Sequence, residues 1–177
     1  MTDKLYLVGF MASGKSTIAR ALAQRLRWRA EDIDDLIERR ERMTIADIFA
    51  RHGEPYFRTA EREMLALVQP MRHLVVATGG GTFADADNRA AINLDGVSVW
   101  IDVPLADLIP RIPLDGRRPL AASRADLERL YAARTDAYRL AHVRVAAGRV
   151  PVPVTVDRIL EAIHQLPPLF DRTMPIA

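Results

Sequence analysis

The sequence predicts an α/β fold, a parallel sheet flanked by helices on both faces, on the strength of three observations. Leu5 to Val8, Leu74 to Ala77 and Val97 to Val103 are short runs, mostly apolar, with the look of strands buried on both sides. Segments with apolar residues at helical spacing alternate with them, beginning with Ile18, Ala19, Ala21, Leu22, Ala23 and Leu26. Between the first strand and the first helix lies Gly9-Phe10-Met11-Ala12-Ser13-Gly14-Lys15-Ser16, which meets G-x-x-x-x-G-K-[ST] at every fixed position.

The remaining elements follow in order. Trp28 to Ile33 reads as a second strand, after which Asp34 could cap a helix over Leu36 to Arg40. Thr44 with Asp47 resembles a capping box for a helix over Ile45 to Arg51. Gly53 ends that helix, and Pro55 suits the start of the next, which runs to about Val68. Asp85 opens a helix to about Leu94, and a helix from Pro104 reaches about Ile109. Residues 113–119 have no apolar period and read as a mobile loop. Ser123 caps a helix to Tyr138, His142 to Ala147 is a last strand, and Val154 to Leu166 a last helix. The tail from Pro167 is expected to be loose. One domain over residues 1–177 is expected, with a lid at about 112–123.

Composition excludes several classes. The chain has 49% hydrophobic and 27% charged residues, as an ordinary globular protein does, and a net charge of +2 gives no case for nucleic acid or membrane partners. No cysteine is present, which removes disulfides, thiol catalysis and thiolate metal sites. No run is long enough to span a bilayer and no signal peptide is visible, so a cytoplasmic protein is expected. Only Lys4 and Lys15 are lysines among 25 basic residues, so a single arginine is weak evidence of function here. Lys15, in contrast, stands where a compact point charge is wanted.

The loop at residues 9–16 predicts nucleoside triphosphate binding, because backbone N–H groups and a helix N-terminus converge there on one anion. Ala12, Ser13, Gly14, Lys15, Ser16 and Thr17 would hold the phosphates, with Ser16 ligating Mg²⁺. Asp32 and Asp34 follow the second strand and could steady the cation or take a proton from an attacking hydroxyl; spacing alone equally allows Asp34 to be a helix cap and Asp35 a solvated neighbour. Gly79-Gly80-Gly81 directly after a strand suits close approach of backbone to a substrate. Arg58 sits early in its helix, against the dipole; it is either a binding cation or a surface partner of Glu61. Arg117 and Arg118 lie in the loop that could fold over phosphate, and Arg134 precedes Tyr138 by one turn.

Taken together, and in this order along the chain, these residues resemble the shikimate kinase family, a P-loop kinase fold. The resemblance rests on Asp32-Ile33-Asp34, on Gly53 to Glu61 as G-E-x-x-F-R-x-x-E, on Ala77 to Gly81, on Asn88-Arg89, on Arg118-Pro119-Leu120, and on Arg134 to Tyr138. It implies transfer of the ATP γ-phosphoryl group to the 3-hydroxyl of shikimate, toward chorismate and the aromatic amino acids. Asp34 would serve as base and bind ring hydroxyls, Lys15 and Arg118 would act on the phosphates, and Asp32 would reach Mg²⁺ through water. Arg58 and Arg134 would clamp the substrate carboxylate, Glu61 would hold Arg58, and Gly79, Gly80 and Gly81 would lie against the substrate. Phe49 and Phe57 would wall the pocket, and adenine would meet Arg149 or Pro153 with Arg111 opposite. A monomer acting on small molecules is expected. A gluconate kinase is the nearest alternative, since such arginines suit any sugar acid. A nucleotide-binding module without turnover is the other, although N-K-x-D for guanine is absent and Lys15, Asp34 and the glycine triplet are all in place.

Overall fold

The computed structural model describes residues 3–112 and 123–167. The proposed lid arginines, Arg117 and Arg118, and the tail beyond Pro167 lie outside the described residues. The elements run β1 (Lys4–Val8), α1 (Lys15–Leu26), β2 (Arg29–Asp32), α2 (Ile33–Glu41), α3 (Ile45–Val68), β3 (Leu74–Ala77), α4 (Ala86–Asp95), β4 (Val97–Asp102), α5 (Leu105–Leu108), α6 (Arg124–Tyr138), β5 (Val143–Ala146) and α7 (Val152–His164). Two 3₁₀ turns, Thr82–Ala84 and Ile109–Arg111, precede α4 and follow α5.

All five strands are parallel, in the order β2-β3-β1-β4-β5. Burial follows that order. The three inner strands are buried almost throughout, while edge strand β5 alternates buried and exposed and β2 stays partly exposed. Helices cover both faces, α1 and α7 packing on each other and α4 and α6 gathering around the Thr82–Ala84 turn. The order has a direct consequence for the site. Ala77 is in register with both Leu7 and Asp32, so the chain leaves β1, β2 and β3 at one level and on one edge. In such sheets the carboxyl ends at the switch point, here around central β1, form the ligand crevice.

Local chemistry explains the boundaries. Thr44 caps α3 by accepting from Asp47 N–H. The segment is two helices meeting at a kink, as the sequence predicts: Gly53, at φ 79° and ψ 175°, is non-helical and Pro55 follows it. Asp32, not Asp34, caps α2: its carboxylate accepts from Asp34 N–H, since β2 stops one residue earlier than its composition suggests and Asp34 already lies in the first turn. Helix α7 begins before Pro153, because a proline in a first helical turn forfeits no hydrogen bond. Past α5 the chain tightens into 3₁₀ geometry around Pro110.

Opposite the crevice, the sheet is pinned by polar groups. Buried Lys4 donates to Val68 O at 2.9 Å and to Asp95 Oδ2 at 2.7 Å, and Tyr6 donates to the same carboxylate. Nearby, His142 Nδ1 accepts from Ser98 N–H at 3.1 Å, while His142 N–H donates to Ser98 Oγ at 3.0 Å. Burial holds the His142 imidazole below the ordinary histidine range. The fold therefore favours the neutral ring. Its contribution to stability is complete above the unfolded value of about 6.5 and is lost as pH falls below it. Thermal melts from pH 8 to pH 5 should show the wild type losing stability faster than His142→Gln below about pH 6.5; parallel curves would clear this imidazole of the effect.

Candidate active site

Two loops, after β1 and β3, and the start of α2 directly after β2 leave this level edge, and Arg58 and Arg134 reach it from α3 and α6. The first is the phosphate loop after β1. Gly14, at φ 90°, is the N-cap of α1 and offers no side chain there, so the first helical N–H groups are left to an outside acceptor. Ser13 and Lys15 are buried; Lys15 Nζ donates to Phe10 O at 2.7 Å and lies 3.4 Å from Ser13 Oγ. Ser16 Oγ donates to Asp32 Oδ2 at 2.5 Å, bringing together the two residues expected at the cation. Ala12 is part-buried and Thr17 exposed.

The second group is the glycine triplet. A Cβ on Gly79 would stand 2.7 Å from Glu61 Oε1, 2.9 Å from Asp34 Oδ1 and 3.0 Å from Thr82 Oγ1. On Gly80 it would be 3.1 Å from Met11 N and 3.3 Å from Arg134 Nη1. On Gly81 it would fall 2.7 Å from Arg58 Nη1 and 3.0 Å from Arg134 Nη2. The triplet thus runs between a carboxylate pair and an arginine pair, beside the phosphate loop.

Each arginine is held in its own way. Arg58 Nη1 donates to Glu61 Oε2 at 2.9 Å and Arg58 Nη2 to Glu54 Oε1 at 2.8 Å. Burial opposes the Arg58 charge, but Glu61 and Glu54 outweigh it and raise the guanidinium above its ordinary range. Arg134 is only 7% exposed and makes no ion pair among the described residues. The Tyr138 phenol favours its charge, and the Tyr138 O–H donates to Gly80 O. Burial first, and Arg58 after the opposing pull of Tyr138, lower the Arg134 pKa below the ordinary arginine range. Burial likewise raises the Tyr138 phenol. Phe10 lies under Arg134, ring centroid to Cζ 6.0 Å, and Phe49 packs on Phe57 at 4.9 Å between centroids. The two guanidinium groups converge on Gly81 with the carboxylates on the Arg58 side, and forks so placed can take a planar anion in paired N–H bonds.

A second opening lies on the far side of Gly14. It has a volume of about 300 Å³ and is lined by Ser13, Ile18, Arg111, Arg149, Val152 and Thr155, among others. Arg111 donates to Gly148 O and Arg149 to Asp107 Oδ1. Pro151, rather than Pro153, shares this lining with Arg111 and Arg149.

The structure brings Asp34, Arg58, Glu61 and Arg134 around the glycine triplet and Ser16 against Asp32, while Pro153 is not in the lining that holds Arg111 and Arg149. It adds four that the sequence reading passed over: Phe10, Met11, Glu54 and Thr82. Glu54 was discoverable as an acidic residue four positions before Arg58 on one helix. Thr82 carries no such signal.

Comparison with known proteins agrees with this geometry. The family model described as "Shikimate kinase" matches residues 11–164. A shikimate kinase of a Sulfurihydrogenibium species is 41% identical over 162 residues, covering 91% of this chain and 98% of the relative. The solved shikimate kinase from Acinetobacter baumannii, in complex with shikimate, superposes with a TM-score of 0.88 at 33% identity, covering 94% of this chain and 97% of the other. The Aquifex aeolicus shikimate kinase gives 0.84 at 31% identity, over 91% and 96% of the two chains.

Gly79→Ala tests the crowding at the triplet. A methyl group there would force two carboxylates and a hydroxyl apart, at a cost of about 1–3 kcal/mol. The melting temperature should drop by roughly 2–10 °C, and a variant as stable as the wild type would show that the loop can yield.

Proposed function

Since the chain belongs to the shikimate kinase family, we infer that it transfers the γ-phosphoryl group of ATP to the 3-hydroxyl of shikimate, giving shikimate 3-phosphate in the route to aromatic amino acids. One observation carries the substrate end of this reading: buried Arg134 and carboxylate-held Arg58 converge beside Gly81, 3.0 Å and 2.7 Å from one point. A carboxylate there would accept N–H groups from both and give Arg134 the counter-charge that its side chain lacks among the described residues.

With the carboxylate held there, the shikimate ring would lie along the glycine triplet toward the phosphate loop. Asp34 Oδ1 flanks Gly79 on that path and is our candidate for the base. It would orient the 3-hydroxyl, bind its neighbour and accept the proton as the oxygen attacks phosphorus. Phosphoryl transfer asks for little covalent chemistry beyond this, since positioning and charge stabilisation carry most of the catalysis. We assign the phosphates to the backbone of residues 12–17 and to Lys15, with Arg118 joining from the lid. The cavity between Arg111 and Arg149 suits the base of the nucleotide, because planar guanidinium groups stack on aromatic rings.

Mg²⁺ fits the residues present. Among the described residues no cluster of three or more His, Cys, Asp or Glu could hold a metal. One hydroxyl and one carboxylate, Ser16 and Asp32, stand instead at the end of the phosphate loop, matching a cation that keeps most of its waters and takes phosphate oxygens. Ser16 would bind it directly and Asp32 through water. When bound, it would neutralise charge on the β- and γ-phosphates. We further propose a single catalytic domain over residues 1–177, active as a monomer in the cytoplasm. No helix among the described residues is long and apolar enough to cross a membrane.

The deciding assay is ADP release by the purified protein with Mg·ATP and no acceptor, shikimate or gluconate. Release should rise steeply with shikimate alone; a response to gluconate in its place would move the enzyme to another sugar-acid kinase. Asp34→Asn should lower kcat by about 100- to 10,000-fold with ATP binding retained, and near-normal turnover would exclude Asp34 as the base. Arg134→Met should raise the KM for shikimate by about 10- to 100-fold and leave that for ATP unchanged. Equal losses toward both substrates would contradict the clamp.

A further inference from the structure

Glu61 is fully buried, and each of its carboxylate oxygens has one donor among the described residues. Oε2 accepts from Arg58 Nη1 at 2.9 Å, and Oε1 accepts from Thr82 Oγ1 at 2.5 Å. Thr82 is itself fully buried, and it opens the 3₁₀ turn that follows the glycine triplet. Its backbone N–H donates to Gly79 O at 3.2 Å, closing the turn through the triplet itself. One residue therefore ties the loop on which the substrate lies to the carboxylate that aims Arg58.

We propose that Thr82 is a positioning residue for shikimate recognition, setting the Glu61–Arg58 arm of the carboxylate clamp through its hydroxyl. The proposal rests on the shikimate reading above. A buried carboxylate oxygen that loses its donor cannot turn to water. Gly79 closes one approach to Oε1, since even a Cβ at that position would be 2.7 Å away. Glu61 can then recover only by rotating, which drags Arg58 with it. Glu54 would then pull more strongly on Arg58, toward the more exposed side of the helix, since its side chain is 45% exposed and that of Glu61 is 0% exposed. The rotation widens the gap between Arg58 and Arg134 before substrate arrives. Binding must then restore the alignment, and shikimate affinity falls while the nucleotide side is untouched. Thr82 makes none of the contacts assigned to the reacting groups, so turnover at saturating shikimate should persist.

Steady-state kinetics on the full chain, with each substrate varied in turn, tests this. Thr82→Val removes the hydroxyl at constant shape and should raise the KM for shikimate about 5- to 20-fold. The KM for ATP and kcat should stay within about twofold, and Thr82→Ser should restore the wild-type KM. Thr82→Ala, smaller and also lacking the hydroxyl, stands in if the valine does not pack, and should show the same split. An unchanged shikimate KM, equal rises for both substrates, failure of Thr82→Ser to rescue, or an alanine variant that does not fold would each overturn the positioning role. These outcomes all presuppose a wild type that phosphorylates shikimate. A wild type inert toward shikimate refutes the functional reading itself, and this proposal with it.

Discussion

At residues 79–81 the backbone occupies space that no side chain can share, and the site is built around that exclusion. A Cβ at Gly79 would press on Glu61, Asp34 and Thr82 together, and one at Gly81 would press on Arg58 and Arg134. The loop therefore works as a spacer with charge on two sides. Glu61 and Asp34 stand on one side of it, and Arg58 and Arg134 on the other. Glycine is required because the gap between the charged groups is only as wide as a backbone.

The arginine pair explains why so many second partners surround the site. Two cations facing one point repel each other, and burial deepens the cost for Arg134. Arg58 is compensated by two carboxylates, whereas Arg134 rests on a phenol, a ring face and the Gly80 loop. The carboxylates therefore sit on one arginine, and the other, Arg134, has no carboxylate partner among the described residues. Tyr138 and Thr82, bonded to the loop at Gly80 O and to Glu61, hold that strained arrangement from opposite ends.

Much of this was legible in the chain because the signals are local. The phosphate loop, the Thr44 cap, the Gly53 break and the inner strands each depend on residues within a few positions of one another. Asp34 and Arg58 were different. Spacing alone left each with a second reading, as a helix cap and as a surface partner of Glu61, and only resemblance to a family chose between them. The structure removes the cap reading of the first, because Asp32 takes the capping position and Asp34 lies beside Gly79. For the second it shows a pair with Glu61 that is buried on the Glu61 side, with Arg58 also turned toward Gly81.

What the sequence determined by itself was the inventory: the alternation of strand and helix, the loop that meets phosphate, and the charged residues available to a substrate. These follow from short-range rules of backbone geometry, periodicity and capping. The tertiary structure alone decided which of them meet. Parallel pairing puts Ala77 level with both Leu7 and Asp32, so the loops after β1 and β3 and the start of α2, far apart in the chain, open at one edge. Thr82 shows the limit most clearly. It lies 21 residues from Glu61, a separation that no local rule relates, and their bond exists because the sheet order carries the end of β3 to the flank of α3.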